Sequence, residues 1–323
     1  MRVGLDVSPL AQTRAGTARH VRGLAAELRE RPGLELVGLS AGDATGRLAT
    51  IRRDVLWYPL RLGRASGGLD VLHCTTFRAP LRPRAPLVVT VHDLAVLRHP
   101  ETFPAWHRTS GRLALRSAVR VADAVVAVSA FTRDELVELL SVPAERIRVV
   151  PNGVDEVFGP EGPAAEGDYV LAVGTREPRK NLPAAVEAAR LAGVELRVAG
   201  AEGWGGVTTA GWVGEPDDAE LAALMRGARC LVYPSLYEGF GVPIVEAMAC
   251  GTPVVTSRGG ATEEVAGGAA VLVDPHDPSA IADGIAEAAR RRDELVAAGR
   301  ARAASFTWGR SADLLEALWR ELA

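Results

Sequence analysis

Short apolar runs rich in valine recur along this chain, and between them the apolar residues return every three or four positions. Runs at 2–7, 34–39, 71–74, 87–91, 124–128 and 147–150 have the length and composition of parallel strands covered on both faces. The stretches at 17–29, 104–121 and 132–140 carry a helical period, the last introduced by Ser129 as a candidate N-cap. Residues 157–167 are dominated by Gly, Pro and acidic side chains, bury little, and read as an interdomain linker. A second series follows, with strands expected at 169–173, 195–199, 230–233, 253–256 and 270–273 and helices near 181–192, 217–227, 242–249 and 278–290. Two consecutive βα series predict an α/β protein of two doubly wound domains, 1–158 and 159–305, each offering the carboxyl ends of its strands to a ligand.

Length agrees with this division, because 323 residues exceed one ordinary core and suit two domains of about 150. No run approaches the roughly 18 apolar residues of a membrane span. The chain opens on a strand-like segment with no apolar signal core, so a cytoplasmic location is expected. Cys74, Cys230 and Cys250 lie far apart in apolar segments and read as small core residues, not as a disulfide or metal framework. The net charge of −3 conceals an asymmetry: residues 1–158 carry 22 basic against 16 acidic side chains, and residues 159–323 carry 15 against 24. A first half at +6 is suited to an anionic membrane or acceptor, although charge of this size also serves solubility alone.

The string YPSLYEGFGVPIVEAMA at 233–249 follows an expected strand and opens an expected helix. Pro243 fits the first helical turn, where its missing N–H loses no bond. Gly239 and Gly241 let the backbone approach a ligand closely, and the free amides of the helix start suit an anion. Glu238 and Glu246 flank that turn. Read by spacing alone, Glu246 merely complements a helix start and Glu238 is a solvated loop residue. The whole string, however, resembles the E-x7-E signature of the retaining family 4 glycosyltransferases. The resemblance implies that Glu238 contacts hydroxyls of a donor sugar, with the amides around Gly239, Phe240 and Gly241, and that Glu246 accepts the hydroxyls of the nucleotide ribose.

Upstream, VGTREPRKNL at 173–182 is similar to the diphosphate clamp of the same family. Lys180 is the only lysine beside 36 arginines, which points to a need for a compact ammonium with rotatable donors at this place. Thr175 stands where many relatives carry Arg and is counted with the donor-binding residues. Arg179 is expected to supply the second cation, with Arg176 as the alternative. His92, after the run 88–91, matches a histidine that the family places beside the donor sugar; a lone histidine after a strand is otherwise more often structural. Asp93 is expected to cap the next turn. RAGTARHV at 14–21 is similar to the family's first phosphate-facing loop, with Gly16 kept and Ala18 in place of a second glycine.

The strings at 150–155, 211–214 and 259–265 extend the match, and the family brings the nucleobase to the backbone at Val213 in the second of them. Phe306-Thr307-Trp308 and the closing helix correspond to the segment that crosses back to the first domain, 306–323. The resemblance therefore implies GT-B architecture, two Rossmann-like domains facing a cleft. It also implies hexosyl transfer with retention from a nucleotide-sugar, GDP-mannose by the spelling of the motifs, to a glycan, lipid-linked or small-molecule acceptor. His92, Lys180 and Glu238 are the expected catalytic residues. No Asp-x-Asp element lies in a metal-binding context, so neither metal nor cofactor is expected, and cations and amides are left to stabilise the leaving diphosphate. A nucleic-acid partner is not expected. An epimerase or a nucleotide-sugar binding protein of the same fold stays open as an alternative. A phosphorylase would need a cofactor lysine beyond Lys180, and no strand runs into the Gly-x-Gly-x-x-Gly of a dehydrogenase.

Overall fold

The computed structural model describes residues 1–11, 16–42, 46–204, 206–207 and 209–323. It divides into two compact units, Met1–Gly153 with Trp308–Ala323, and Val154–Thr307. Residues 154–158 thus cluster with the second unit. Each unit is built on a six-stranded, wholly parallel sheet with helices on both faces.

In the first unit the strands are β1 (Arg2–Asp6), β2 (Glu35–Leu39), β3 (Val71–Cys74), β4 (Leu87–Val91), β5 (Ala124–Ala127) and β6 (Ile147–Val149), in the order β2-β1-β3-β4-β5-β6. Its helices are α1 (Gly16–Arg29), α2 (Arg47–Arg52), α3 (Leu62–Ala65), α4 (Ala95–Arg98), α5 (Ala105–Val121) and α6 (Ala130–Leu140), with the closing helix Trp308–Leu322. Alternate strand residues point to opposite faces, as a pleated strand requires. Val3, Leu5, Val88 and Val126 pack beneath α1 and the closing helix, whereas Leu72, Val89, Val91 and Val125 pack with Tyr58, Leu62 and Leu115 on the other face. Ser129 accepts the Thr132 amide at 3.0 Å, capping α6, which starts at Ala130.

The second unit holds β7 (Tyr169–Val173), β8 (Glu195–Ala199), β9 (Trp212–Gly214), β10 (Leu231–Tyr233), β11 (Val254–Ser257) and β12 (Val271–Val273), in the order β12-β11-β10-β7-β8-β9. Its helices are α7 (Leu182–Ala192), α8 (Asp218–Gly227), α9 (Val242–Ala249), α10 (Gly260–Ala266), α11 (Pro278–Arg290) and α12 (Arg292–Ala303). The three cysteines are free and buried. Among the described residues no helix is long and apolar enough to cross a membrane.

Some elements escape the hydrophobic pattern. Between α2 and α3 the chain is π-wound over Arg53–Arg61, with Pro59 inside it, a residue that argues against a helix in sequence. β9 is a three-residue edge strand with exposed Trp212 and Val213, too short to show an alternation. Helix α12 has Leu295 and Val296 as its only large apolar side chains, so its apolar stripe is narrow.

The closing helix is fitted to the first unit by two glycines. A Cβ on Gly23 of α1 would lie 2.2 Å from the Trp308 indole, and one on Gly153 would lie 2.4 Å from the Trp308 amide. Ser311 then donates to the Pro151 carbonyl at 2.6 Å, and Arg31 binds Asp313 and Glu316 at 2.6 and 2.9 Å. The glycine of the 150–155 string and the tryptophan that opens the closing helix are therefore parts of one contact. In an exposed helix Gly→Ala gains about 1 kcal/mol. Gly23→Ala should instead destabilise by roughly 1–3 kcal/mol, because overpacking against the indole outweighs that gain. Thermal melts check this, and an unchanged or raised midpoint would contradict the packing.

Candidate functional site

β7 and β10 are neighbours in the second sheet, so the loops leaving their carboxyl ends meet. The first loop turns at Gly174 with φ +155°, where a Cβ would press on the Lys180 stem at 3.2–3.4 Å. It continues through one 3₁₀ turn, Pro178–Lys180, to Asn181, which is left-handed at φ 54°. Asn181 Nδ2 donates to the carbonyls of Pro234 and Pro275 at 3.1 and 2.6 Å, and the Leu236 amide donates to the Arg179 carbonyl at 2.8 Å. Two loops are thereby locked together before any side chain of the site is considered. The second loop ends at Gly241, φ 98°, and Pro243 sits in the first turn of α9.

The side chains carried by these loops converge on one carboxylate. Glu238 receives Lys180 Nζ on Oε1 at 2.5 Å, Arg179 Nη1 on Oε2 at 3.0 Å, and the Tyr233 hydroxyl on Oε1 at 2.7 Å. Lys180 Nζ also donates to the Tyr233 oxygen at 3.0 Å, and Arg179 Nη2 pairs with buried Glu177 at 2.8 Å. Burial alone would raise the Glu238 carboxyl. The charges of Lys180 and Arg179, with the hydrogen bonds from Lys180 and Tyr233, overcome that and hold it at about 2. Burial lowers the Lys180 ammonium, opposed by Glu238, and raises the Tyr233 phenol well above its ordinary value. Two cations thus pair with two carboxylates, Lys180 and Arg179 with Glu238, and Arg179 with Glu177.

The other expected donor-side residues are placed as follows. Thr175 lies between Gly174 and Arg176 with its Cγ2 against the Gly203 backbone, where a Cβ on Gly203 would meet it at 3.0 Å. Arg176 is turned from Glu238 to Glu202, at 2.9 Å, and stacks on Trp212 with its guanidinium carbon 4.2 Å from the ring centre. Arg179 is the cation beside Lys180. Phe240 is buried edge-to-face on Phe306, with ring centres 5.5 Å apart. Glu246 is 2% exposed and stands beyond the first turn of α9, so completing a helix start does not account for it. Val213 is exposed on edge strand β9, beside Trp212, whose indole N–H is held by the Gly200 carbonyl at 2.9 Å.

In the first unit His92 follows β4 and donates from Nε2 to the Thr75 carbonyl at 2.9 Å, which leaves Nδ1 as an acceptor. His20 of α1 meets it edge-to-face, ring centres 4.8 Å apart, and bonds through Nδ1 to Asn152 Oδ1 at 2.8 Å. Burial lowers both imidazoles, His20 further because His92 is beside it. Asp93 accepts the Ala95 amide at 3.0 Å and so closes the turn that leads into α4. Gly16 opens α1 and is exposed; Arg14 and Ala15 of the same string lie outside the described residues. Tyr233, Glu177, His20 and Asn152 lie inside the strings that carry the resemblance but show no role as letters, because the partners of a buried hydroxyl, carboxylate, imidazole or amide are set by the fold. Among the described residues no group of three or more His, Cys, Asp or Glu is arranged to hold a metal ion.

Comparison with known proteins places two family models on the chain, "Glycosyltransferase Family 4" over residues 14–158 and "Glycosyl transferases group 1" over residues 154–303. The O-antigen chain mannosyltransferase B of Escherichia coli is 33% identical over 74% of this chain and 71% of its own length. A D-inositol 3-phosphate glycosyltransferase of Acidothermus cellulolyticus is 30% identical over 98% of this chain and 79% of its own. Among solved structures, sucrose-phosphate synthase from Thermosynechococcus elongatus superposes with a TM-score of 0.81 at 21% identity, covering 100% of this chain and 99% of that one.

Because burial and paired cations act on Glu238 in opposite directions, its ionisation is a stability term with a defined sign. Its folded value lies below the ordinary 4.5, so the term is present above that pH and is lost as pH falls toward 2. Wild type should exceed Glu238→Gln by on the order of 3 kcal/mol at neutral pH. The difference should narrow only below about pH 4.5. Urea unfolding of both proteins across this range checks it, and a gap that stays constant down to pH 3 would contradict it.

Proposed function

The chain belongs to the family 4, group 1 glycosyltransferases of GT-B fold, and from that premise we propose that it moves a hexosyl group, with retention, from a nucleotide-sugar to an acceptor hydroxyl. The observation that carries this reading is the convergence of Lys180, Arg179 and Tyr233 on Glu238 where the strand ends of the second unit meet. As donor enters, its diphosphate takes up Lys180 and Arg179, and Glu238, released from them, accepts hydroxyls of the sugar. Glu246 takes the ribose hydroxyls, the amides of Phe240 and Gly241 assist Glu238 at the sugar, the turn at Gly174–Thr175 lines the phosphates, and the backbone at Val213 meets the base.

The glycosidic bond then breaks while the acceptor oxygen bonds the anomeric carbon on the same face, and the departing phosphate oxygen takes the acceptor's proton. Charge on that phosphate grows along the way, so Lys180 acts more strongly on the transition state than on bound donor. His92, with Nδ1 left as an acceptor, is suited to receive a hydrogen bond from a hydroxyl. The diphosphate charge is met by protein cations without a divalent ion. GDP-mannose is the donor supported by likeness to an O-antigen chain mannosyltransferase, and a glycan, lipid-linked or small-molecule acceptor is proposed with it.

Purified protein is to be assayed against UDP-, GDP-, ADP- and dTDP-sugars, and turnover of GDP-mannose is expected. Lys180→Ala should lower turnover by about two to three orders of magnitude, the equivalent of roughly 2–4 kcal/mol. Donor affinity should suffer less. Lys180→Arg should also be impaired, since a planar fork does not replace a point charge. Arg290→Ala on α11 is the control, and EDTA should leave transfer unchanged. Near-wild-type turnover in folded Lys180→Ala would refute the assignment of the clamp. Donor binding without any turnover would favour a binding protein.

A further inference from the structure

Glu238 shares the two loops with a second buried carboxylate, and that one is used differently. Glu177 is 3% exposed and stands at the head of the 3₁₀ turn Pro178–Lys180, in extended backbone at φ −129°. A carboxylate at the head of a turn commonly accepts from the amides that follow, but the Glu177 side chain makes no such cap. It reaches past Pro178 to Arg179 Nη2 at 2.8 Å. The other arm of the guanidinium, Nη1, donates to the Tyr237 carbonyl and to Glu238 Oε2, both at 3.0 Å. Arg179 therefore has two kinds of partner. Glu238 is the one that a diphosphate replaces under the function proposed above, whereas Glu177 and the Tyr237 carbonyl take no part in that exchange.

Backbone bonds fix the pair on both sides. The Glu177 amide donates to the Thr175 carbonyl at 2.8 Å, the Lys180 amide donates to the Glu177 carbonyl at 3.1 Å, and the Arg179 carbonyl accepts the Leu236 amide at 2.8 Å. Pro178 lies between the two charged residues, and its ring fixes φ near about −65°, so the span from one to the other is preset. The neighbouring cation gives the contrast. Arg176 pairs with Glu202, whose side chain is 80% exposed, and an ion pair of that surface kind holds a side chain only weakly. Burying a carboxylate costs free energy, and well-packed apolar residues in place of a buried pair are often no less stable, so the fold alone does not call for Glu177. Nor is Glu177 required to ionise Arg179, because arginine keeps its charge whatever surrounds it. What the pair supplies is direction.

We infer that Glu177 is a positioning residue, which keeps the Arg179 guanidinium aimed at the diphosphate while Glu238 is exchanged for it. The inference rests on the function proposed above and adds to it the part that stays in place. A guanidinium held through Glu238 alone would swing free when that partner left, and the donor would then have to order it; a second anchor removes that cost. The charge of Glu177 works the other way, since a carboxylate near the site repels a diphosphate. Holding and charge thus act with opposite sign, and side-chain chemistry separates them. Glutamine loses the charge and keeps an acceptor at the same reach, whereas methionine keeps the length and alanine keeps neither, and both lack the carbonyl oxygen.

Equilibrium binding of GDP and GMP, with UDP and UMP in parallel, tests this in Glu177→Gln, Glu177→Met and Glu177→Ala, each made with Arg179 present and with Arg179→Ala. Thermal melts confirm folding, and either of the last two Glu177 variants suffices if the other does not fold. The quantity read is the preference for diphosphate over monophosphate. It should be about tenfold lower in Glu177→Met or Glu177→Ala than in Glu177→Gln, the worth of one hydrogen bond to a charged group. In the Arg179→Ala background this difference should vanish, because Glu177 acts through that side chain alone. Equal preference in all three Glu177 variants, with wild type still favouring the diphosphate, would overturn the inference and leave the proposed function standing. So would a difference that survives in Arg179→Ala. A wild type that favours neither diphosphate would refute the proposed clamp itself, and the inference with it.

Discussion

A carboxylate buried between two strand ends would ordinarily give up its charge, and Glu238 keeps its charge only because Lys180, Arg179 and Tyr233 all point at it. The dependence is mutual. Without Glu238 the lysine and arginine would face each other across a largely dehydrated space, and without them the carboxyl would neutralise. Such a network is costly to break at one member, since the partner left behind is a buried charge. It also fixes in advance the positions of two cations that a diphosphate would otherwise have to order for itself. Glu177 adds a second carboxylate beside the two cations, so under the function proposed above an arriving diphosphate exchanges with Glu238.

Backbone geometry sets up this exchange. Gly174 leaves room for the lysine stem, left-handed Asn181 ties its loop to the carbonyls after β10 and β12, and Gly241 starts α9 at the angle that brings Glu246 inward. A side chain at Gly174 would push directly on Lys180, so the glycine and the only lysine of the chain belong to one constraint. In the first unit His92, after β4, is held by Thr75 and meets His20 of α1, held by Asn152, and burial lowers both imidazoles.

Much of the architecture was legible because buried parallel strands are short valine runs and the connecting helices are amphipathic. What the pattern missed has physical reasons. Pro59 hid the run from 47 to 65, which accommodates it by π-winding, and β9 is too short and too exposed to alternate. At the candidate site the loops stood out through Gly and Pro at fixed offsets, while the contacts did not. That Tyr233 shares Glu238 with Lys180 depends on two strands being neighbours, and that His20 meets Asn152 depends on residues 132 positions apart. Arg176 and Arg179 were equivalent as letters, and only the fold turns one toward Trp212 and the other toward Glu238.

The central claim is that the cations gathered on Glu238 form the seat of a diphosphate. Equilibrium binding of a nucleoside diphosphate and its monophosphate, for the base found in the donor, measures this without any catalytic step. Wild type should prefer the diphosphate by roughly 10- to 100-fold, the worth of one or two charge-assisted bonds. In Lys180→Ala that preference should shrink toward unity while the monophosphate binds as before. An undiminished preference in the folded variant would contradict the account.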